Sequence, residues 1–177
     1  MNQGSPSVVV IDVRDGVEEE LSGKGYPVNV EQIQGRLRKW TLRVSGRLIP
    51  FPVEVSLVLV ADSEMRELNG QWRGLFRVTD VLSFPQMSIE DLTINAHEDE
   101  ADSSQPPTLL GDVVIAPAVV YRRAGSAEVF WEDLGRVLIH GLLHLTGRDH
   151  KKAGDRLKMR AEEEELGRLL DLILTRK

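Results

Sequence analysis

Residues 137–150 read VLIHGLLHLTGRDH. Apolar residues recur at helical spacing from about Ala127 to Thr146, and Val137, Leu138, Ile139, Leu142, Leu143 and Leu145 surround two histidines. A helix this apolar is expected to lie buried against a sheet. Gly147 ends it, because glycine takes the positive φ at which helices commonly close. His140 and His144 stand four residues apart, about 40° apart in a helix, so both rings share one face a turn from each other. Two nitrogens so placed can meet one zinc ion at about 2.0–2.1 Å each. His150 cannot join them along a continued helix, which would carry it about 15 Å from His140. A reversal at Gly147 can bring it back. The stretch therefore offers three ligands, His140, His144 and His150, with a fourth tetrahedral position left for water, as in catalytic zinc sites.

The rest of the chain supplies the sheet. Residues 7–13 (SVVVIDV) read as a strand, and Asp15 to Pro27, polar and glycine-bearing, as a loop. Val30, Ile33, Leu37, Trp40 and Val44 mark an amphipathic helix with Asn29 as its N-cap, broken over Ser45 to Pro52. Val53 to Val60 (VEVSLVLV) suits a central strand. A short helix follows in ADSEMRELNG, residues 61–70, with Asn69-Gly70 as its exit. Asp80 to Phe84 and Gly111 to Ala116 read as strands, and Asp155 to Ile173 as a last charged helix. Residues 95–109, acidic and proline-containing, read as a flexible loop that includes His97, an exposed residue without a role. The order βαβαββαα predicts an α+β fold, a small mixed sheet packed against helices in one domain over residues 1–177, with the zinc site at a helix end.

Composition narrows the function. The chain has 177 residues, a length that suits one domain. It has no cysteine, so a transition metal must be held by His, Asp or Glu. The N-terminal residues lack the pattern of a signal peptide, no window is apolar enough for a membrane span, and the cytoplasm is the expected compartment. A formal net charge of -6 disfavours a general cationic nucleic-acid binder and leaves room for a local basic groove.

The spacing HxxxHxxGxxH also resembles the zinc motif of metzincin proteases, with one difference. Those enzymes carry Glu after the first histidine as a general base, and here Gly141 has no side chain to take a proton. A peptidase of that mechanism is disfavoured. Zinc still lowers the pKa of a bound water to about 7 without that Glu.

HGLLHLTGRDH resembles the signature of the bacterial YbeY-type endoribonuclease family, the rRNA maturation factors. Two further blocks match in order. In MRELNGQWRGLFRVTDVLSFP, residues 65–85, Leu68-Asn69, Trp72-Arg73-Gly74 and Thr79 to Pro85 correspond to the family's leucine-asparagine pair, aromatic-Arg-Gly step and Thr-Asp-Val-Leu-Ser-Phe-Pro run. LGDVVI at 110–115 corresponds to its Leu-Gly-Asp-Ile strand. The chain departs from the pattern at Leu75-Phe76-Arg77-Val78, where the family usually carries a Lys-Asp pair and a proline, and Trp72 replaces a tyrosine.

This resemblance implies a zinc-dependent, single-strand-specific endoribonuclease with one Zn²⁺ per chain. Its implied task is maturation of the 3′ end of small-subunit ribosomal RNA, with ribosome quality control beside it. The implied partners are RNA rather than DNA or membrane, with ribosomal proteins or a ribosome-associated GTPase as further candidates. In that setting Arg73 is the cation expected to face the scissile phosphate, since a guanidinium presents a rigid fork of donors and stays charged. Arg66 and Arg77 are candidates for further phosphate contacts, and Trp72 for stacking on an unpaired base. Asp80 and Ser83 are candidate cleft residues, and Asp149 a candidate to orient a histidine through its second ring nitrogen. Asp112 reads as structural, and Glu162 to Glu165 as a solvated helix face. Two other readings stay open: a zinc hydrolase of another substrate class, and a ribosome-assembly factor in which zinc only stabilises the fold.

Overall fold

The computed structural model describes residues 6–88, 91–92, 106–148 and 153–171. Strands β1 (Val8–Val13), β2 (Val53–Leu59), β3 (Val81–Pro85) and β4 (Thr108–Ile115) form one sheet in the order β1-β2-β4-β3. β2 runs parallel to both β1 and β4, while β3 is antiparallel to β4 and forms one edge. Six helices surround the sheet among the described residues: α1 (Val17–Gly23), α2 (Val30–Leu48), α3 (Asp62–Arg73), α4 (Pro117–Ala124), α5 (Ala127–Leu145) and α6 (Ala153–Leu169). The fold is α+β with a mixed sheet, as its sequence pattern predicts. No helix among the described residues is long and apolar enough to cross a membrane.

Strand alternation assigns the two faces. Val53, Val55, Leu57 and Leu59 of β2 are buried, with Glu54, Ser56 and Val58 between them half-exposed. The buried set packs with Ile33, Leu37 and Val44 of α2 and with Phe130, Leu134, Leu138 and Leu142 of α5. On the opposite face Met65 of α3 packs with Leu82 of β3 and Val114 of β4. α5 and α3 thus flank the β3 edge from opposite sides of the sheet, and this places the two ends that carry the predicted site residues.

Local chemistry explains where the elements begin and end. Asn29 caps α2 with a full capping box: its side chain accepts from Gln32 N at 2.9 Å, and the Gln32 side chain accepts from Asn29 N at 3.3 Å. Instead of breaking at Ser45, α2 runs on to Leu48, because Val44 and Ser45 are buried and tertiary packing prolongs it. Residues 17–23, expected in a loop, form α1, which is anchored by the buried Val17 and Leu21. Its Glu20 accepts a hydrogen bond from Asp62 N at 3.1 Å, so α1 caps α3, whose own N-cap, Ala61, has no side-chain acceptor. Burial raises the Glu20 pKa, but the bonds to Lys24 and Asp62 outweigh it and hold the carboxyl below its usual range.

α3 passes through Asn69-Gly70 and ends at Arg73, with Gly74 at φ 70°. α4, which opens with Pro117 at its first turn, is absent from the expected element order. β4 begins at Thr108, so the last two residues of the expected 95–109 loop are strand, while 95–105, His97 included, lie outside the described residues. A register shift opposite Glu54 and Val55 leaves Leu110 as the extra residue of a bulge. Gly111, which follows it at φ 141°, lies so close to β3 that a Cβ would stand 2.4 Å from the Phe84 carbonyl oxygen.

Candidate metal centre

α5 starts at Ser126, whose hydroxyl accepts from Val129 N at 3.4 Å. Between Val137 and Leu145 every residue is buried except His140 and His144, which are half-exposed. The two imidazoles emerge together: their Nε2 atoms lie 3.1 Å apart and their ring planes are nearly perpendicular. Two nitrogens bound tetrahedrally to zinc at about 2.0–2.1 Å stand about 3.3 Å apart, close to the separation found. The donor set and its geometry therefore fit a zinc ion shared by His140 and His144.

Glu163 of α6 stands behind the pair. Its Oε1 lies 2.7 Å from His140 Nδ1. A carboxylate only accepts, so in the neutral ring Nδ1 carries the proton and donates it, which leaves Nε2 as the lone-pair nitrogen directed toward His144. Glu163 belongs to a charge run expected to be solvated; Glu164 and Glu165 are exposed as expected, whereas Glu163, turned toward His140, departs from that reading. Glu162 pairs with Arg148 at 3.3 Å and Glu165 with Arg47 at 2.7 Å. These acids tie α6 to α5's exit and to α2. Glu163→Gln is expected to lower zinc affinity about 10–100-fold without unfolding the protein, as measured by metal-buffer titration. An unchanged affinity would show that Glu163 does not orient the ring.

The helix exit matches its predicted geometry. Gly147 has φ 80°, Gly147 N donates to His144 O at 3.0 Å, and Arg148 N donates to Leu143 O at 3.1 Å. This Schellman pattern turns the chain at the predicted point. His150 and Asp149 lie beyond it, outside the described residues. Among the described residues, no group of three His, Asp or Glu is gathered so as to hold an ion.

Gly141 has a reason that the motif comparison did not supply. It is buried against the sheet, and a Cβ there would stand 2.6 Å from Val113 Cγ1 and 3.3 Å from Ser83 Oγ. α5 approaches β4 and β3 so closely that no glutamate fits, and the position faces the core instead of the histidines' open side. Gly141→Ala is expected to destabilise the fold by about 1–3 kcal/mol, read as a lower denaturation midpoint. Full stability would contradict the close packing.

A cleft of about 810 Å³ opens beside His140, between α5 and α6, with arginines 123, 136, 156 and 160 in its walls. Arg136, four residues before His140 on the same face, was not among the predicted site residues, although its spacing from His140 marks it. Asp80 lines the cleft but is held by Arg123, which also reaches Asp133 at 3.4 Å. Burial opposes the charge on Arg123, and its bonds to the two carboxylates outweigh that and raise its pKa. Asp80 thus ties β3's start to α4 and α5. Ser83 lies on β3 opposite Val113, facing α5 at Gly141. Asp112 is half-exposed in β4, paired in register with Ser56 and Phe84.

The α3 residues lie across the β3 edge. Arg73 closes α3, is exposed, has no side-chain partner among the described residues, and is not part of the cleft wall. Arg66 donates through Nε to the Phe76 carbonyl at 3.1 Å, and Asn69 through Nδ2 to the Arg77 carbonyl at 2.8 Å. Trp72, 66% exposed, meets Phe84 edge-on with ring centroids 5.4 Å apart.

Sequence comparison decides the family. The model of the endoribonuclease YbeY family matches residues 24–171. The chain belongs to the YbeY family. An endoribonuclease YbeY from Novosphingobium aromaticivorans is 37% identical over 128 residues, 72% of this chain and 74% of that one. The Anaeromyxobacter sp. relative is 40% identical over 142 residues, 78% of this chain and 65% of its own. The Allorhizobium ampelinum relative is 40% identical over 102 residues, 57% of this chain and about half (54%) of its own length. The solution structure of TM1509 from Thermotoga maritima is similar over 96% of this chain at 24% identity, with a TM-score of 0.46.

Proposed function

We propose that this YbeY-family protein is a zinc-dependent endoribonuclease that hydrolyses phosphodiester bonds of single-stranded RNA. The observation that carries this reading is the His140–His144 pair, with Nε2 atoms 3.1 Å apart and Glu163 fixing the His140 tautomer. The relatives' name, endoribonuclease YbeY, supports the choice of RNA as substrate. His140, His144 and, beyond the turn at Gly147, His150 hold the ion, one per chain. When bound, zinc supplies a Lewis acid that activates a nucleophile and polarises a phosphoryl oxygen.

The remaining work falls to the chain's own side chains. Glu163 keeps the proton on His140 Nδ1. Arg73 offers its guanidinium fork to the phosphate and stabilises the charge that develops there. Arg66, Arg77 and Trp72 contact the flanking strand, Asp80 and Ser83 shape the edge it crosses, and Asp149 orients a histidine. The substrate is ribosomal RNA in the cytoplasm, at the 3′ end of the small-subunit precursor, with ribosome quality control as the associated task. Ribosomal proteins or a ribosome-associated GTPase deliver it.

Metal analysis joined to an RNA cleavage assay tests the proposal. Zinc near one per chain and chelator-sensitive cutting support it, whereas cutting by metal-free protein overturns it. Product ends identify the nucleophile: a 2′,3′-cyclic phosphate marks attack by the RNA's own hydroxyl, and a 5′-phosphate with a free 3′-hydroxyl marks attack by water.

A further inference from the structure

Leu75-Phe76-Arg77-Val78, the stretch that follows α3, has a defined structure. The chain turns at Gly74 and folds back along α3. Gly74 N donates to Gly70 O at 3.0 Å, and Leu75 N donates to Asn69 O at 3.2 Å. The Arg66 and Asn69 side chains then hold the carbonyls of Phe76 and Arg77. Four hydrogen bonds thus fix a stretch of exposed residues.

Phe76 lies at its centre. Its ring sits directly on Gly70, where a Cβ would stand 2.5 Å from the ring carbons. Only glycine at position 70 lets the ring lie so close to the helix. One side of the ring is therefore seated, yet Phe76 is 72% exposed. Trp72, Leu75 and Val78 beside it in the chain are exposed as well, and a concentration of exposed apolar side chains marks an interaction site.

Arg66, Gly70 and Arg73 recur at spacings of four and three, so they share one helix face, with the arginines about 10 Å apart along the axis. The Phe76 ring rests on Gly70, in the middle of that stripe, between helix positions 66 and 73. Arg66 spends one of its five N–H donors on the loop, while Arg73 and Arg77 make no ion pair among the described residues. Against a net charge of -6, residues 66–77 hold three arginines and one acid, Glu67. An open aromatic face flanked by guanidinium groups is complementary to an unpaired base and its two phosphates.

The geometry points to Phe76 as a stacking platform for one unpaired RNA base, with Arg66 and Arg73 clamping the phosphates on either side. The inference rests on the RNA reading above and adds a binding residue to it.

Steady-state cleavage of a single-stranded RNA oligonucleotide by the zinc-loaded protein tests it. Phe76→Ala is expected to raise KM about tenfold, with the smaller effect on kcat. Phe76→Trp restores KM, because any aromatic face stacks. Phe76→Leu, which keeps apolar bulk without the π face, does not. An unchanged KM in Phe76→Ala, or a normal KM in Phe76→Leu, overturns the platform and leaves the nuclease reading standing. Binding of a 2-aminopurine-labelled strand separates the two claims. If wild-type protein quenches the label through Phe76 but never cuts RNA, the platform holds and the nuclease reading fails.

Discussion

His144→Ala is expected to abolish zinc binding and RNA cleavage together while the fold survives. His144 is one of two half-exposed positions in a buried stretch of α5, and its Nε2 faces that of His140 at 3.1 Å. On the proposed assignment its removal takes away one of three ligands, and the helix packing on the sheet is expected to stay intact. The loss is read apart from activity. A ligand that binds only the folded state stabilises it by about 2.7 kcal/mol at one hundred times its Kd, which raises Tm by about 5–10 °C in a domain of this size. Wild-type protein is expected to show that rise on addition of zinc, and His144→Ala none, with the two metal-free proteins melting alike. A zinc-dependent rise that persists in the variant would contradict the assignment.

Arg73→Ala is expected to lower kcat/KM for RNA about 10²–10³-fold, the usual cost of one preorganised donor to a developing charge. Zinc content and Tm should not change, because Arg73 is exposed and unpaired among the described residues. Arg73→Lys is expected to recover only part of the rate, since a point charge does not reproduce the guanidinium fork. Full activity in Arg73→Ala would remove this residue from the reaction. Arg136, in the cleft wall beside His140, is then the next candidate for the role.

Features set by local chemistry were legible in the sequence. The Asn29 cap, the alternation of VEVSLVLV, the apolar run around the histidines and the turn at Gly147 are each determined by residues close together in the chain. Features set by distant packing were not. α1 has only Val17 and Leu21 to anchor it, and no side chain caps its N-terminus at Gly16. Asn69-Gly70 resembles a helix exit, but Asn69 is spent on the Arg77 carbonyl and Gly70 makes room for Phe76. Both serve the returning loop instead of ending the helix.

The candidate site divides the same way. The histidine pair follows from helical spacing alone. Glu163 could not be found from spacing, because it reaches His140 only when α6 packs on α5, and a run of four glutamates carries no mark of which one turns inward. Gly141 read as a missing base until its contact with Val113 and Ser83 made it a packing residue. The proton acceptor must therefore be sought outside that position.

The central claim is that these histidines hold a zinc ion required to cut RNA. The most direct measurement is cleavage of a single-stranded RNA by protein stripped of metal, before and after zinc is restored. No cleavage without metal, and full cleavage at about one equivalent of zinc per chain, is the predicted result. Equal rates before and after would contradict it.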